Sequence, residues 1–401
     1  MRKICFARNK LAYLDYAATT PVDSRVFEAM KPYFLKGFGN ASEIHRWGRI
    51  AKLAIEETRK KIAKTIGAKD KEIIFTSCAT ESINLCHKGV LEAVSNSHLI
   101  TSSVEHKAGI ESAKHLEKQG FRVTFLPVDK YGMVKVSDIE KAIRPETVLV
   151  SVMYVNNEVG TIEPIEEIGK LIKSINHKRL AISHKPIYFH CDAVQAFQYL
   201  DCKVDKLGVD LLSLTGHKFY APKGIGALYI RQGTPIIRQQ DGGGQEFGLR
   251  SGTENVPYIV GLGKAVELVI GNQPSVVKKI SKMRDKLIKG VLKIPGVELT
   301  GHPVKRAPHI ASFIIKGAEG EAMLLLLDEY GVAASSGSAC TTGSLEPSHV
   351  LTAMGYKPEE SHGSLRFSLG KDTTEEEIDY LIKVLPEIVE KLRKMAPRFR
   401  N

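Results

Sequence analysis

From Glu72 to Leu214 short apolar runs alternate with amphipathic stretches, and this rhythm restricts the fold more than any other feature of the sequence. Glu72–Thr76, His98–Ser102, Arg122–Leu126 and Val148–Tyr154 read as strands; Ile83 and Leu85, Lys107–Gln119, Ser137–Ile143 and Ile165–Ile175 lie on helices. Parallel strands need a crossover, and a crossover helix covers a face of the sheet. The expected fold is α/β, a largely parallel central sheet covered on both faces, with ligands outside the carboxyl ends of its strands. Three polar clusters fall at such ends: Ser103-Val104-Glu105-His106, Asn156-Asn157-Glu158, and Asp192 with Gln195. One histidine at a strand end is ordinary, but three clusters on one rim favour a site.

The flanks are organised differently. Pro21–Ser24 starts a helix carrying Val26, Met30 and Tyr33, and Gly37–His45 is a loop. Trp47, Ala51, Ala54, Ile55, Thr58, Ile62 and Ile66 mark one face of a long helix that Gly67 ends. Asp241–Glu246 and Arg250–Asn255 form a glycine-dense irregular segment suited to close backbone approach by a ligand or a second subunit. Helical patterns resume near Tyr258 and run to Leu292. Strands follow at Val297–Thr300 and Ile310–Ile315, a helix at Glu321–Glu329, a strand at Ser364–Ser368, and a last helix opened by the capping box Thr374–Glu377. The expected division is a large domain over residues 16–260 and a smaller α/β C-terminal domain from residues 1–15 and 261–401.

Within Leu211–Ile230 two short apolar runs read as strands, around a turn of small residues with Pro222 and two glycines that opens with His217-Lys218. Alone, that turn is a surface loop with an ordinary lysine. Its partner is Asp192, which closes the apolar run Ile187–Cys191. Pyridoxal phosphate needs an anion at its ring nitrogen and a lysine at its aldehyde, and Asp192 and Lys218 can converge on one such ligand, Lys218 as a Schiff base. Ser77–Glu81 turns from a strand into a helix. Its free N–H groups and the Thr80 hydroxyl either hold a phosphate or form an ordinary N-cap. A second reactive group is Cys340, in a run of small polar residues from Ser335 to Ser344. Arg366 suits bidentate pairing with a substrate carboxylate.

A formal net charge of +12 is spread along the chain with no aromatic-interleaved basic motif, so direct nucleic-acid binding is not expected. No apolar run is long enough to span a bilayer and no signal-peptide core is visible; the expected location is cytoplasmic. The six cysteines lack metal-ligand spacing, so no metal is expected, and five of them read as packed small hydrophobes.

Leu14-Asp15-Tyr16-Ala17-Ala18-Thr19-Thr20-Pro21, Ala79-Thr80-Glu81-Ser82, Ser103–His106, Asn156–Thr161, Asp192–Ala196, Gly216-His217-Lys218, Gly242–Glu246, Arg250–Asn255 and Ser335–Cys340 occur in one order. With them the chain resembles the class V, fold type I, pyridoxal-phosphate cysteine desulfurases of the NifS/IscS kind, from about Leu14 to the last helix. The resemblance implies that Lys218 carries the cofactor and shuttles protons, and that His106 stacks on the ring as an acid/base group. Asp192 would pair with the ring nitrogen and Gln195 with the ring hydroxyl. Ala79, Thr80, Thr215 and His217 would bind the phosphate, with Thr253 from the other subunit of a homodimer. Asn156 and Arg366 would orient the substrate, Arg366 at its carboxylate. L-cysteine would become alanine, leaving a persulfide on Cys340 for an acceptor such as an iron–sulfur scaffold or a tRNA-thiolation enzyme. Selenocysteine lyase or another fold type I lyase or aminotransferase is the alternative chemistry, and a basic binding protein without turnover is the alternative class. Cys78 stands where the family has Gly and Phe247 where Arg is usual; Ser174–Pro186 looks like an insertion, and the tail at Pro397–Asn401 lacks the extension by which IscS members dock a scaffold.

Overall fold

The computed structural model describes residues 11–336 and 347–395. Strand β1 (Ala12–Tyr13) precedes helices α1 (Ser24–Leu35) and α2 (Arg46–Ile66). The alternating region comprises β2 (Ile73–Thr76), α3 (Ala79–Ala93), β3 (His98–Ser102), α4 (Lys107–Lys118), β4 (Arg122–Leu126), α5 (Val136–Ala142) and β5 (Thr147–Met153). It continues with α6 (Ile165–Ala181), β6 (Tyr188–Asp192), α7 (Val204–Leu207), β7 (Leu211–Thr215) and β8 (Gly226–Ile230). Then come α8 (Val256–Val291), β9 (Val297–Leu299), β10 (Ile310–Ile315), α9 (Gly320–Glu329), β11 (Val332–Ala333), α10 (His349–Ala353), α11 (Pro358–Ser361), β12 (Ser364–Ser368) and α12 (Glu375–Met395).

The seven-stranded sheet has the order β2-β8-β7-β6-β5-β3-β4. Pairs β3/β4, β3/β5, β5/β6 and β6/β7 are parallel, whereas β8 runs antiparallel to both its neighbours. The reversal follows from the connection: β7 and β8 are joined by a turn, with no helix to carry the chain back. Strand β5 is buried along its whole length, as a strand covered on both faces must be.

Local chemistry sets the helix ends. Asp23 accepts the Arg25 N–H at the start of α1, and Gly67 ends α2 in the left-handed region at φ 74°. At α12, Thr374 and Glu377 exchange bonds of 2.8 and 3.2 Å, the expected capping box. Two expectations need correction. Trp47 does not join the buried face of α2, being 54% exposed, because the helix lies on the core only from Ala51 onward. Helix α6 runs on to Ala181 instead of stopping at Ile175, so part of the expected insertion is helix. Buried Arg179 fixes those added turns by donating to the carbonyls of Arg144, Pro145, Thr147 and Lys185.

Core packing divides along α8. Val256, Ile259, Leu262 and Val266 pack with α2 residues Ala54, Ile55 and Ile62 and with sheet residues Phe189 and Leu212. Ile280, Met283, Leu287 and Val291 pack with β10, β12 and α12 through Phe313, Phe367, Leu381 and Leu385. Ala12 and Leu14 join this second cluster, because β1 pairs with β11. Among the described residues no helix is long and apolar enough to cross a membrane.

Candidate active site

A cleft of about 510 Å³ opens at the carboxyl ends of the parallel strands. His106 enters it after β3, Asn157 after β5, Asp192 and Gln195 at the end of β6, and Thr215, His217 and Lys218 at the end of β7. The amino end of α3 forms another wall with Cys78, Ala79 and Thr80, and Asp15, Ala17, Ala18, Ser335, Ser336 and Arg366 complete the lining. The three polar strand-end clusters of the sequence therefore do meet on one rim.

After β7 the chain makes one tight turn, Gly216–Lys218. A Cβ at Gly216 would come within 2.8 Å of Ala221 Cβ, so only glycine lets the turn close here. The turn sends Lys218 to the far wall, where Nζ donates to the carbonyls of Ala17 (2.8 Å) and Ala18 (2.6 Å). Asp192 is buried, and its Oδ1 accepts the Val194 N–H at 2.9 Å. Burial raises its pKa to about 6, against the opposing pull of that N–H and of Lys218. A carboxylate so desolvated gains from a cation beside it, which a protonated ring nitrogen would be.

The opposite end suits an anion. Cys78 caps α3 without a side-chain bond, so the leading N–H groups of this 15-residue helix are not closed by their own cap, contrary to ordinary N-capping. Glu81 turns back from the first turn, accepting the Ser77 N–H at 2.7 Å while Arg250 holds it at 2.8 Å. Gly226 lets strand and turn approach closely, since a Cβ there would lie 2.7 Å from Leu214 O and 3.0 Å from the Cys78 carbonyl carbon. His217 and His106 are both held neutral: burial, then Lys218, pulls each to about 4. His106 Nδ1 accepts the Ala108 N–H at 3.1 Å, leaving Nε2 as the ring's proton-bearing atom. An anion seat, an amine and a buried carboxylate in one cleft fit the phosphate, aldehyde and ring nitrogen of pyridoxal phosphate.

Residues 12–381 match the family Aminotransferase class-V. The chain belongs to the class-V aminotransferases. Members of this family are pyridoxal-phosphate enzymes, and so is this chain. It is 51% identical to a protein named cysteine desulfurase IscS from Dictyoglomus turgidum, over 96% of each chain. It is also 51% identical to the IscS of Methanosarcina thermophila, over 97% of this chain and 94% of that one. Among solved structures, a NifS-like protein superposes with a TM-score of 0.88 at 39% identity, covering 95% of this chain and 100% of that chain. A cysteine desulfurase from Thermococcus onnurineus gives a TM-score of 0.83 at 27% identity, covering 95% of each chain.

Against this class-V background, some expected site residues stand apart from the cleft. Asn156 is fully buried and braces a loop: Oδ1 accepts the N–H groups of Glu158 and Val159, and Nδ2 donates to Val104 O. Its neighbour Asn157 faces the cleft in its stead. Thr253 is exposed and does not line the cleft of its own chain. Cys340 lies outside the described residues, as do Cys5 and the tail Pro397–Asn401. Arg366 reaches Asp15 Oδ1 at 2.9 Å and Asn157 O at 2.7 Å, while its buried Nε has no hydrogen-bond partner among the described residues. Sequence reasoning gave no role to Asp15, Ala17 or Ala18, although the motif Leu14–Pro21 was the available signal. Cys78 is half-buried and lines the cleft, unlike the buried Cys86, Cys191 and Cys202. Phe247, in place of the usual Arg, lies 4.9 Å from the Arg59 guanidinium.

Proposed function

We propose that this chain is a cysteine desulfurase that converts L-cysteine to L-alanine and keeps the sulfur as a persulfide on Cys340. The observation that carries this reading is the convergence of Lys218, Asp192 and the open end of α3 on one cleft. When bound, pyridoxal phosphate supplies an electron-withdrawing ring that makes the substrate α-proton acidic. Lys218 Nζ would hold the cofactor and would carry the substrate α-proton. Asp192 would keep the ring nitrogen protonated, and His106, neutral at pH 7, would stack on the ring and serve as an acid/base group at Nε2. Arg366, which lines the cleft, would take the substrate carboxylate. Cys340, as thiolate, would attack the substrate sulfur: the carbon–sulfur bond breaks, a sulfur–sulfur bond forms, the β-carbon takes up a proton, and Lys218 returns the α-proton to give alanine.

The proposal extends to a homodimer in which Thr253 serves the partner's cleft. Its support is an exposed apolar face over α1 and the start of α2, with Phe27, Phe34, Phe38, Ile44, Trp47 and Leu53. The two core clusters support a large and a small domain divided along α8, somewhat past the expected boundary at 260, since Leu262, Ala265, Val266 and Val269 still pack with the first cluster. The sulfur acceptor is an iron–sulfur scaffold or a tRNA-thiolation enzyme. Unpaired Cys78, Cys86, Cys191 and Cys202 suit the cytoplasm.

The test is alanine and sulfide release from L-cysteine under reducing conditions. The parent releases both; Lys218→Ala releases neither and lacks the cofactor's visible absorbance. Cys340→Ser retains that absorbance but loses sulfide release. Sulfide at the parent rate from the serine variant sinks the persulfide route.

A further inference from the structure

Gln195 is fixed from both ends of its amide. Nε2 donates to Ala17 O at 2.9 Å, and Oε1 lies 3.2 Å from His309 Nε2. A carboxamide oxygen only accepts, so His309 Nε2 carries the proton. Turning the amide over would set its oxygen against Ala17 O and its N–H against that of His309. Both partners therefore select one orientation, in which one Nε2 hydrogen is used by Ala17 and the other remains in the cleft that Gln195 lines.

His309 is itself held. It is 1% exposed, its ring stacks on Tyr199 with centroids 4.1 Å apart and planes 19° off parallel, and its carbonyl accepts the Leu369 N–H at 2.8 Å. Burial, then Arg366, Arg284 and Lys218, pulls its pKa to about 3, so the ring stays neutral. Nδ1 is buried without a hydrogen-bond partner among the described residues, which makes Nε2 the atom that matters.

We propose that His309 is a positioning residue for the cofactor: its donation to Gln195 Oε1 keeps an N–H of Gln195, and not the carbonyl oxygen, toward the ring hydroxyl oxygen of pyridoxal phosphate. This rests on the reading that the cleft holds that cofactor. Gln195 makes the contact, and His309 acts through it.

The test compares binding of pyridoxal phosphate and of its 3-deoxy analogue, which lacks the ring oxygen, to the cofactor-stripped full chain by equilibrium dialysis. His309→Phe keeps an aromatic ring against Tyr199 but removes the donor; His309→Asn keeps a donor and removes the ring. His309→Phe is expected to weaken pyridoxal phosphate binding about tenfold and to change binding of the deoxy analogue less than about twofold. His309→Asn is expected to bind pyridoxal phosphate within about threefold of the parent. Equal losses for both ligands in His309→Phe, or no loss for pyridoxal phosphate, would overturn the proposal. A parent chain that binds no pyridoxal phosphate at all would bring down the reading of the cleft, and this proposal with it.

Discussion

Asp192 and Lys218 are legible because each ends a strand whose pattern is clear, and a strand end in a parallel sheet has a known address. Asp192→Asn keeps the shape and removes the charge. It is expected to lower kcat/KM for L-cysteine by about 10²-fold with the cofactor still bound, measured by alanine formation. Asn156 is not legible in the same way. Nothing in Asn156-Asn157 says which side chain turns inward, and the brace to Val104 decides it. The Arg366–Asp15 pair is also hidden, since its partners come from opposite ends of the chain and meet only where Asp15, just past β1, bridges to Ser368 of β12.

Elements carry the site through contacts that no local pattern encodes. Arg59 of α2 and Glu246 form a buried bidentate pair at 2.9 and 2.9 Å, and Glu246 also accepts the Phe75 N–H at 2.8 Å. Between them they hold Glu246 and Phe247 at φ 47° and 58°, left-handed conformations uncommon outside glycine. Arg59→Met leaves Glu246 buried without its cation and is expected to cost about 3–5 kcal/mol in chemical denaturation. Gly226→Ala pushes β8 against the Cys78 turn, so it is expected to weaken pyridoxal phosphate binding more than it lowers stability. A fluorescence titration of cofactor beside a thermal melt separates the two effects. Caps and periodicity gave the boundaries of α2 and α12, but α6 was read short because its last turns are stabilised by Arg179 reaching distant carbonyls.

At the scale of the molecule, buried titratable groups set an acid and an alkaline limit. Burial holds His87, His98, His106 and His217 near about 4 and His309 near about 3. Unfolding lets them bind protons, so their contribution is lost as pH falls from the ordinary histidine value of about 6.5 through these lowered values. Burial raises Asp192 to about 6, Glu158 to about 7 and Glu105 to about 8. Their protonated forms favour the fold, and that contribution is lost as pH rises through those values. Burial shifts His190 and His349 the same way as these imidazoles, and Glu163 and Asp210 the same way as these carboxyls, so the cofactor-free chain is expected to melt highest near pH about 6.5, the more numerous imidazoles deciding the acid side and the carboxyls, Glu163 with Glu158 and Glu105, the alkaline side. A melting temperature that climbs steadily to pH about 8 contradicts this. The exposed face around Trp47 predicts that Trp47→Arg converts dimer to monomer in light scattering. Periodicity puts Trp47 on the same helix face as Ala51 and Ala54, but the spacing cannot tell that this first turn stands clear of the core.

The most direct measurement is borohydride reduction of the cofactor-loaded chain followed by peptide mass spectrometry. A pyridoxyl phosphate adduct on the peptide containing Lys218, and absent from Lys218→Ala, is the expected result. An adduct confined to any other lysine, or none, would contradict the convergence of amine, carboxylate and helix end on which the whole reading stands.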